Sequence, residues 1–110
     1  MLILLNSAVM LQDGTYKKKT ISSQEAKTTF TNYMNDYKSY IGYPNTCRVL
    51  SQLFEKQIEL NRDRTIIKHG DIILSISLKY RIDNPAEKKT RIHGNKLEDY
   101  NFARITFELE

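Results

Sequence analysis

Ile72-Ile-Leu-Ser-Ile-Ser-Leu-Lys-Tyr-Arg-Ile82 decides the fold class. Leu74, Ile76, Leu78, Tyr80 and Ile82 fall on one side of an extended chain, and Ser75, Ser77, Lys79 and Arg81 on the other. That two-residue period is a strand with one face on a core. The end of the chain repeats it, with Ala103, Ile105, Phe107 and Leu109 opposite Arg104, Thr106 and Glu108. Residues 2–9, apolar apart from Asn6-Ser7, predict a buried strand. Asp13-Gly14 marks a turn, and Thr15-Tyr16 followed by Lys17, Lys18 and Lys19 predicts a short return strand whose lysines guard an edge.

Helical signals sit between these strands. Ser22-Ser-Gln-Glu25 is a capping box, and Ala26, Phe30, Tyr33 and Tyr37 continue at helical spacing, which predicts a helix over 22–37. Gly42 and Pro44 interrupt the chain. A second helix is expected to start with Asn45 or Thr46 as cap and to bury Val49, Leu50, Leu53 and Phe54. Residues 83–97 are polar and Gly/Pro-interrupted, a covering loop by length and composition. Two helices then strands, without regular βαβ alternation, predict an α/β fold: one small mixed sheet of about five strands, packed by helices on one face.

The chain has 110 residues and 12.9 kDa, enough for a single domain over 1–110 with one modest core. One cysteine, Cys47, rules out an internal disulfide, and with His69 and His93 makes no convincing metal site. We expect no metal and no cofactor. No apolar run approaches the ~20 residues of a membrane span, so a cytoplasmic protein is expected. The net charge of +4 divides into a basic body and an acidic end, Glu98, Asp99, Glu108 and Glu110 against Arg104, a balance compatible with a phosphate-bearing partner. GxxxxGK, GxGxxG, nucleophile-elbow and HExxH motifs are missing.

Three places could carry chemistry. Asn6-Ser7 ends an apolar strand. Ile41-Gly42-Tyr43-Pro44-Asn45-Thr46 delivers the chain to a helix N-terminus, where amides and dipole attract anions. Ser77, Lys79 and Arg81 point away from the core, and Arg81 could hold a phosphate with two parallel bonds. A satisfied strand end, a plain cap and a solvated sheet face are the structural alternatives. Cys47 reads as a packing residue.

Asn6-Ser7 comes first, then Ile41-Gly42-x-x-x-Thr46 with Leu50-Ser51-x-Leu53, then Asn61-Arg62, Lys68-x-Gly70-Asp71, and Arg81 on a long strand. This order resembles the viral ring nucleases, anti-CRISPR proteins directed against type III systems. The resemblance implies a homodimer whose two-fold axis crosses a cavity for cyclic tetra-adenylate, in the host cytoplasm if the chain is viral. It also implies metal-independent cleavage, in which a ribose 2′-hydroxyl attacks the adjacent phosphate. By motif position Arg81 is the phosphate-stabilising arginine. Asn6, Ser7, Asn45, Thr46, Arg62 and Ser77 fall where the family contacts the nucleotide.

Two departures stand out. The family's Ile-Gly-His reads Ile41-Gly42-Tyr43, so Tyr43 replaces the catalytic histidine that acts as general acid, and Asn84 stands where the viral enzymes carry an acidic residue. A phenol, with reference pKa near 10 against about 6.5 for imidazole, donates a proton more reluctantly. The expectation is a cyclic-oligoadenylate-binding protein that degrades its ligand slowly or sequesters it. The alternative is a non-enzymatic nucleic-acid-binding accessory protein of a mobile element, using Lys17 to Lys19, Lys88, Lys89 and Arg91; a third reading is a structural interaction module without nucleotide.

Overall fold

The computed structural model describes residues 1–6, 14–63, 65–79 and 96–108. Ser7, Arg81, Asn84, Lys88, Lys89, Arg91 and His93, most of the predicted covering loop and the ends of three predicted strands lie outside the described residues.

The elements run β1 (Leu2–Asn6), β2 (Thr15–Ile21), α1 (Ser23–Asn32), β3 (Tyr37–Tyr40), α2 (Pro44–Phe54), β4 (Ile72–Leu78), a 3-10 turn (Leu97–Asp99) and β5 (Tyr100–Glu108). They form one mixed sheet in the order β2-β5-β4-β1-β3. The strands β1, β3 and β4 are parallel, and β5 runs antiparallel to both β4 and β2. This is the expected α/β architecture, with two helices on one face.

Central position explains the composition of β1. Leu2, Ile3, Leu4 and Leu5 are all buried, because a parallel strand with neighbours on both sides is covered on both faces. Leu2 and Leu4 face the helices, in a core with Ala26, Phe30, Val49, Leu50, Leu74 and Ile76. There Phe30 stacks on Phe54 with ring centroids 4.3 Å apart. Ile3 and Leu5 belong to a second cluster with Tyr40, Ile67, Ile73, Ile105 and Phe107. The face opposite the helices is therefore not an open surface. Ser75, expected to point into solvent, is only 4% exposed, since it lies level with Leu5 and Ala103 beneath that cluster.

The first helix begins as read and ends early. Ser22 Oγ accepts the Glu25 amide at 3.1 Å, and Glu25 Oε1 accepts the Ser22 amide at 3.3 Å. The helix stops at Asn32 with Tyr33 as its cap. Thr28, Thr29 and Thr31 donate their hydroxyls back to the carbonyls of Gln24, Glu25 and Lys27, contacts that weaken a helix. Tyr37, expected on the helix, opens β3, where pairing with β1 outweighs helical spacing. The second helix starts earlier than expected: Tyr43 is its cap and Pro44 its first residue, a position where proline's fixed φ suits the helix and its missing N–H costs nothing.

Candidate functional site

Because β1, β3 and β4 are parallel, their C-terminal ends lie together, the place where open α/β sheets commonly bind ligands. Asn6 ends β1 level with Ile76 of β4. The β3–α2 connection, Ile41-Gly42-Tyr43, passes beside it. Asn6 Oδ1 accepts the Gly42 N–H at 2.7 Å.

A third segment reaches the same spot. Residues 58–62 run along the outer edge of β3, where Ile41 and Leu60 form a parallel bridge. Ser39 Oγ donates to the Glu59 carbonyl at 2.7 Å, the Asn61 N–H to the Ile41 carbonyl at 2.9 Å, and Asn61 Nδ2 to the Ser39 carbonyl at 3.0 Å. These bonds cover the edge that β3 would otherwise expose. They also carry Arg62 to the loop, where its Nε donates to the Gly42 carbonyl at 2.9 Å. A Cβ built on Gly42 would meet Arg62 Cγ at 3.4 Å.

Tyr43 stands beside this cluster at the start of α2. Its side chain is 60% exposed and makes no capping hydrogen bond. Half-buried Asn45 accepts from Arg48 Nη2 through Oδ1 at 3.5 Å. Together these residues offer hydrogen-bond donors, a guanidinium and an exposed aromatic ring beside a helix N-terminus. That set suits a phosphate flanked by a base.

The structure thus brings together Asn6, Tyr43, Asn45 and Arg62. It places two other expected contacts differently. Thr46 is buried, and its hydroxyl shares a 3.1 Å hydrogen bond with that of Tyr100, so it serves as a joint between α2 and β5. Ser77 is half-buried near the end of β4, on the sheet face opposite the one Asn6 occupies. Cys47 is buried, and its thiol donates to the Ile41 carbonyl at 3.8 Å. Burial pushes that thiol's pKa up, away from reactivity. His69 is exposed in the turn before β4.

The contribution of Ser39 is invisible to periodicity, because it acts through the backbone of a segment twenty residues away. A separate cavity of about 330 Å³ between the start of α1, the end of β4 and the start of β5 is lined by Lys79, Ser22, Asn101 and Tyr100 among others; among the described residues none of the expected nucleotide contacts lines it. Among the described residues no group of three or more His, Cys, Asp or Glu could hold a metal ion. No helix there is long and apolar enough to cross a membrane.

A small mixed α/β sheet with its polar cluster at the strand ends defines the class. Within that class, the chain belongs to the STIV B116-like family, whose model matches residues 2–109. Protein 26 of Sulfolobus islandicus filamentous virus (isolate Iceland/Hveragerdi) is 33% identical over 113 residues, covering 99% of this chain and 92% of that protein. YddF of Bacillus subtilis (strain 168) is 40% identical over 58 residues, about half of each chain (53% and 54%). In structure the chain is similar to B116 of Sulfolobus turreted icosahedral virus, with a TM-score of 0.71 at 14% identity, covering 96% and 97% of the two chains. That likeness is one of fold.

Proposed function

We propose that the protein binds a cyclic oligoadenylate, cyclic tetra-adenylate by its resemblance to the ring nucleases, in a cavity shared by two copies, and degrades it slowly or sequesters it. The observation that carries this reading is the convergence of Asn6, Gly42 and Arg62 at the start of α2, with Tyr43 exposed beside them. A two-fold ligand favours a two-fold protein. Exposed Tyr43 and Leu60 flank the Ile41–Gly42 step and offer apolar surface to a second copy.

Cleavage in this reading follows the resemblance. The 2′-oxygen bonds to phosphorus, the bond from phosphorus to the 5′-oxygen breaks, the 2′-proton passes to solvent, and the departing oxygen takes a proton. The products are linear di-adenylates ending in 2′,3′-cyclic phosphate. Arg62, and Arg81 by motif position, supply positive charge. Tyr43 is the candidate proton donor or a stacking platform for adenine. Such chemistry needs in-line positioning, charge neutralisation and a proton for the departing 5′-oxygen.

Incubation with a panel of cyclic oligonucleotides, reading both retention and products, tests the proposal. Retention of cyclic tetra-adenylate with slow or no cleavage is expected, on a dimer of about twice 12.9 kDa by light scattering. A protein that retains none of the rings would overturn it.

One observation favours a second reading, sequence-independent binding of a nucleic-acid strand. Lys19 lies directly opposite Arg104, with Lys17 on the same face, and all three are exposed. Like charges directly opposite destabilise a sheet, so an anion covering them would relieve a cost. Three phosphate contacts give a logarithmic salt slope of about −2 on single strands. An enclosed ring held at Asn6 and Arg62 depends on salt less.

A further inference from the structure

Gly42 is held on both sides by side chains from different parts of the chain. Asn6, at the end of β1, accepts its N–H at 2.7 Å, and Arg62, beyond the β3 edge, donates to its carbonyl at 2.9 Å. These bonds fix the peptide before Gly42 and the peptide after it. The second of those peptides leads into Tyr43, whose own side chain makes no capping bond and is 60% exposed. The ring is therefore placed by its backbone, and the backbone by Asn6 and Arg62.

We infer that Asn6 and Arg62 form a two-point clamp on Gly42 that sets the position of Tyr43 and of the α2 N-terminus, a positioning role beside the ligand contacts proposed for them. A backbone N–H can only donate, so Asn6 must present its carbonyl oxygen to Gly42, leaving its amide group as a donor. Arg62 commits Nε, and its two terminal nitrogens remain donors. A lysine keeps the charge at 62 but has no planar donor set to reproduce that geometry. The clamp draws together parts of the chain that are far apart in sequence, and the loop it holds carries no side-chain cap of its own.

The role given to Tyr43 rests on the function proposed above, whereas the clamp itself is a property of the free protein and is tested there. The isotopically labelled full chain is compared with three variants by amide exchange at Gly42 and by the carbon signal of the Gly42 carbonyl. Asn6→Ala removes the acceptor and should speed Gly42 exchange about tenfold, the worth of one net hydrogen bond. Asn6→Asp keeps an acceptor oxygen in place and should restore slow exchange, even if Asn6→Ala fails to fold. Arg62→Lys, at an exposed position, should move the Gly42 carbonyl signal upfield and shift the Tyr43 amide, with the amides of Leu4 and Leu74 unchanged.

Slow Gly42 exchange in a folded Asn6→Ala protein overturns the clamp. So does Asn6→Asp exchanging as fast as Asn6→Ala, or an unmoved Gly42 carbonyl in Arg62→Lys. Failure of the parent to retain cyclic tetra-adenylate, with the exchange results as expected, refutes the proposed ligand and leaves the clamp standing.

Discussion

Replacing Tyr43 by histidine separates binding from chemistry. The parent side chain is 60% exposed and makes no capping bond, so Tyr43→His should change stability by no more than about 0.5 kcal/mol. Its effect belongs in the reaction. A positioned general acid contributes about 10²- to 10⁴-fold. The introduced imidazole must carry a proton to act, and the positive end of α2 opposes the imidazolium, holding it below histidine's reference value of about 6.5. At pH 7 the imidazolium is then the minority form. Taken from the lower bound of about 10²-fold, that leaves a gain of about tenfold in cleavage of cyclic tetra-adenylate, with affinity little changed. The gain should grow as pH falls toward 6, because protonation supplies the active form. The assay follows products under single-turnover conditions from pH 5.5 to 8, beside a urea midpoint for each protein. A parent that already cleaves as fast as Tyr43→His, or a variant whose rate rises with pH, would refute the reasoning.

The Thr46–Tyr100 hydrogen bond joins two buried hydroxyls. Thr46→Val and Tyr100→Phe should each destabilise by about 1 kcal/mol, the double variant less than their sum, with coupling of about 0.5–1.5 kcal/mol in urea titrations; strict additivity would deny the bond. Leu50 is 0% exposed in the helix-side core, and Leu50→Ala should cost about 2–5 kcal/mol by denaturant unfolding, a loss below 1 kcal/mol being contrary. Burial raises the Cys47 thiol above its ordinary value of 9.0. The unfolded thiol therefore loses its proton first as pH rises past 9.0, and stability falls in that window. Cys47→Ala should show a smaller decline between pH 8 and pH 10, and an identical decline would count against the desolvated thiol.

The class of fold is legible in the sequence because hydropathy is periodic. Leu74 and Ile76 alternate with Ser75 on β4, and the Ser22–Glu25 box marks the start of α1. The sequence pattern hides what depends on distant partners. Tyr37 keeps perfect helical spacing from Ala26 and Phe30, yet a place beside β1 makes it a strand residue. Ser75 looks exposed because it alternates with Leu74 and Ile76 and shares a face with Ser77 and Lys79, and becomes buried because Ile105, Phe107 and Tyr40 gather on the second face. Local sequence announces Asn6, Gly42 and Tyr43 as polar or tight-turn residues. Their meeting with Arg62 depends on the bonds of Ser39 and Asn61 to the β3 edge, which no local pattern encodes. Thr46 carries the residue type of a phosphate contact, and only the fold sets it against Tyr100.

The central place of β1 has a consequence on the ribosome. Leu2 pairs with Tyr37 on one side and with Ile72 on the other, so β1 cannot be enclosed until β4 has been made. At about 5–20 residues per second, the seventy residues between Leu2 and Ile72 take about 4–14 s. Until β3 is made Leu2-Ile-Leu-Leu5, uncharged and apolar, has neither of its permanent neighbours, and until β4 arrives one of its two edges stays open. Such a segment is prone to pair with other nascent chains. It is also the natural grip for a chaperone, one that lets go when β4 arrives.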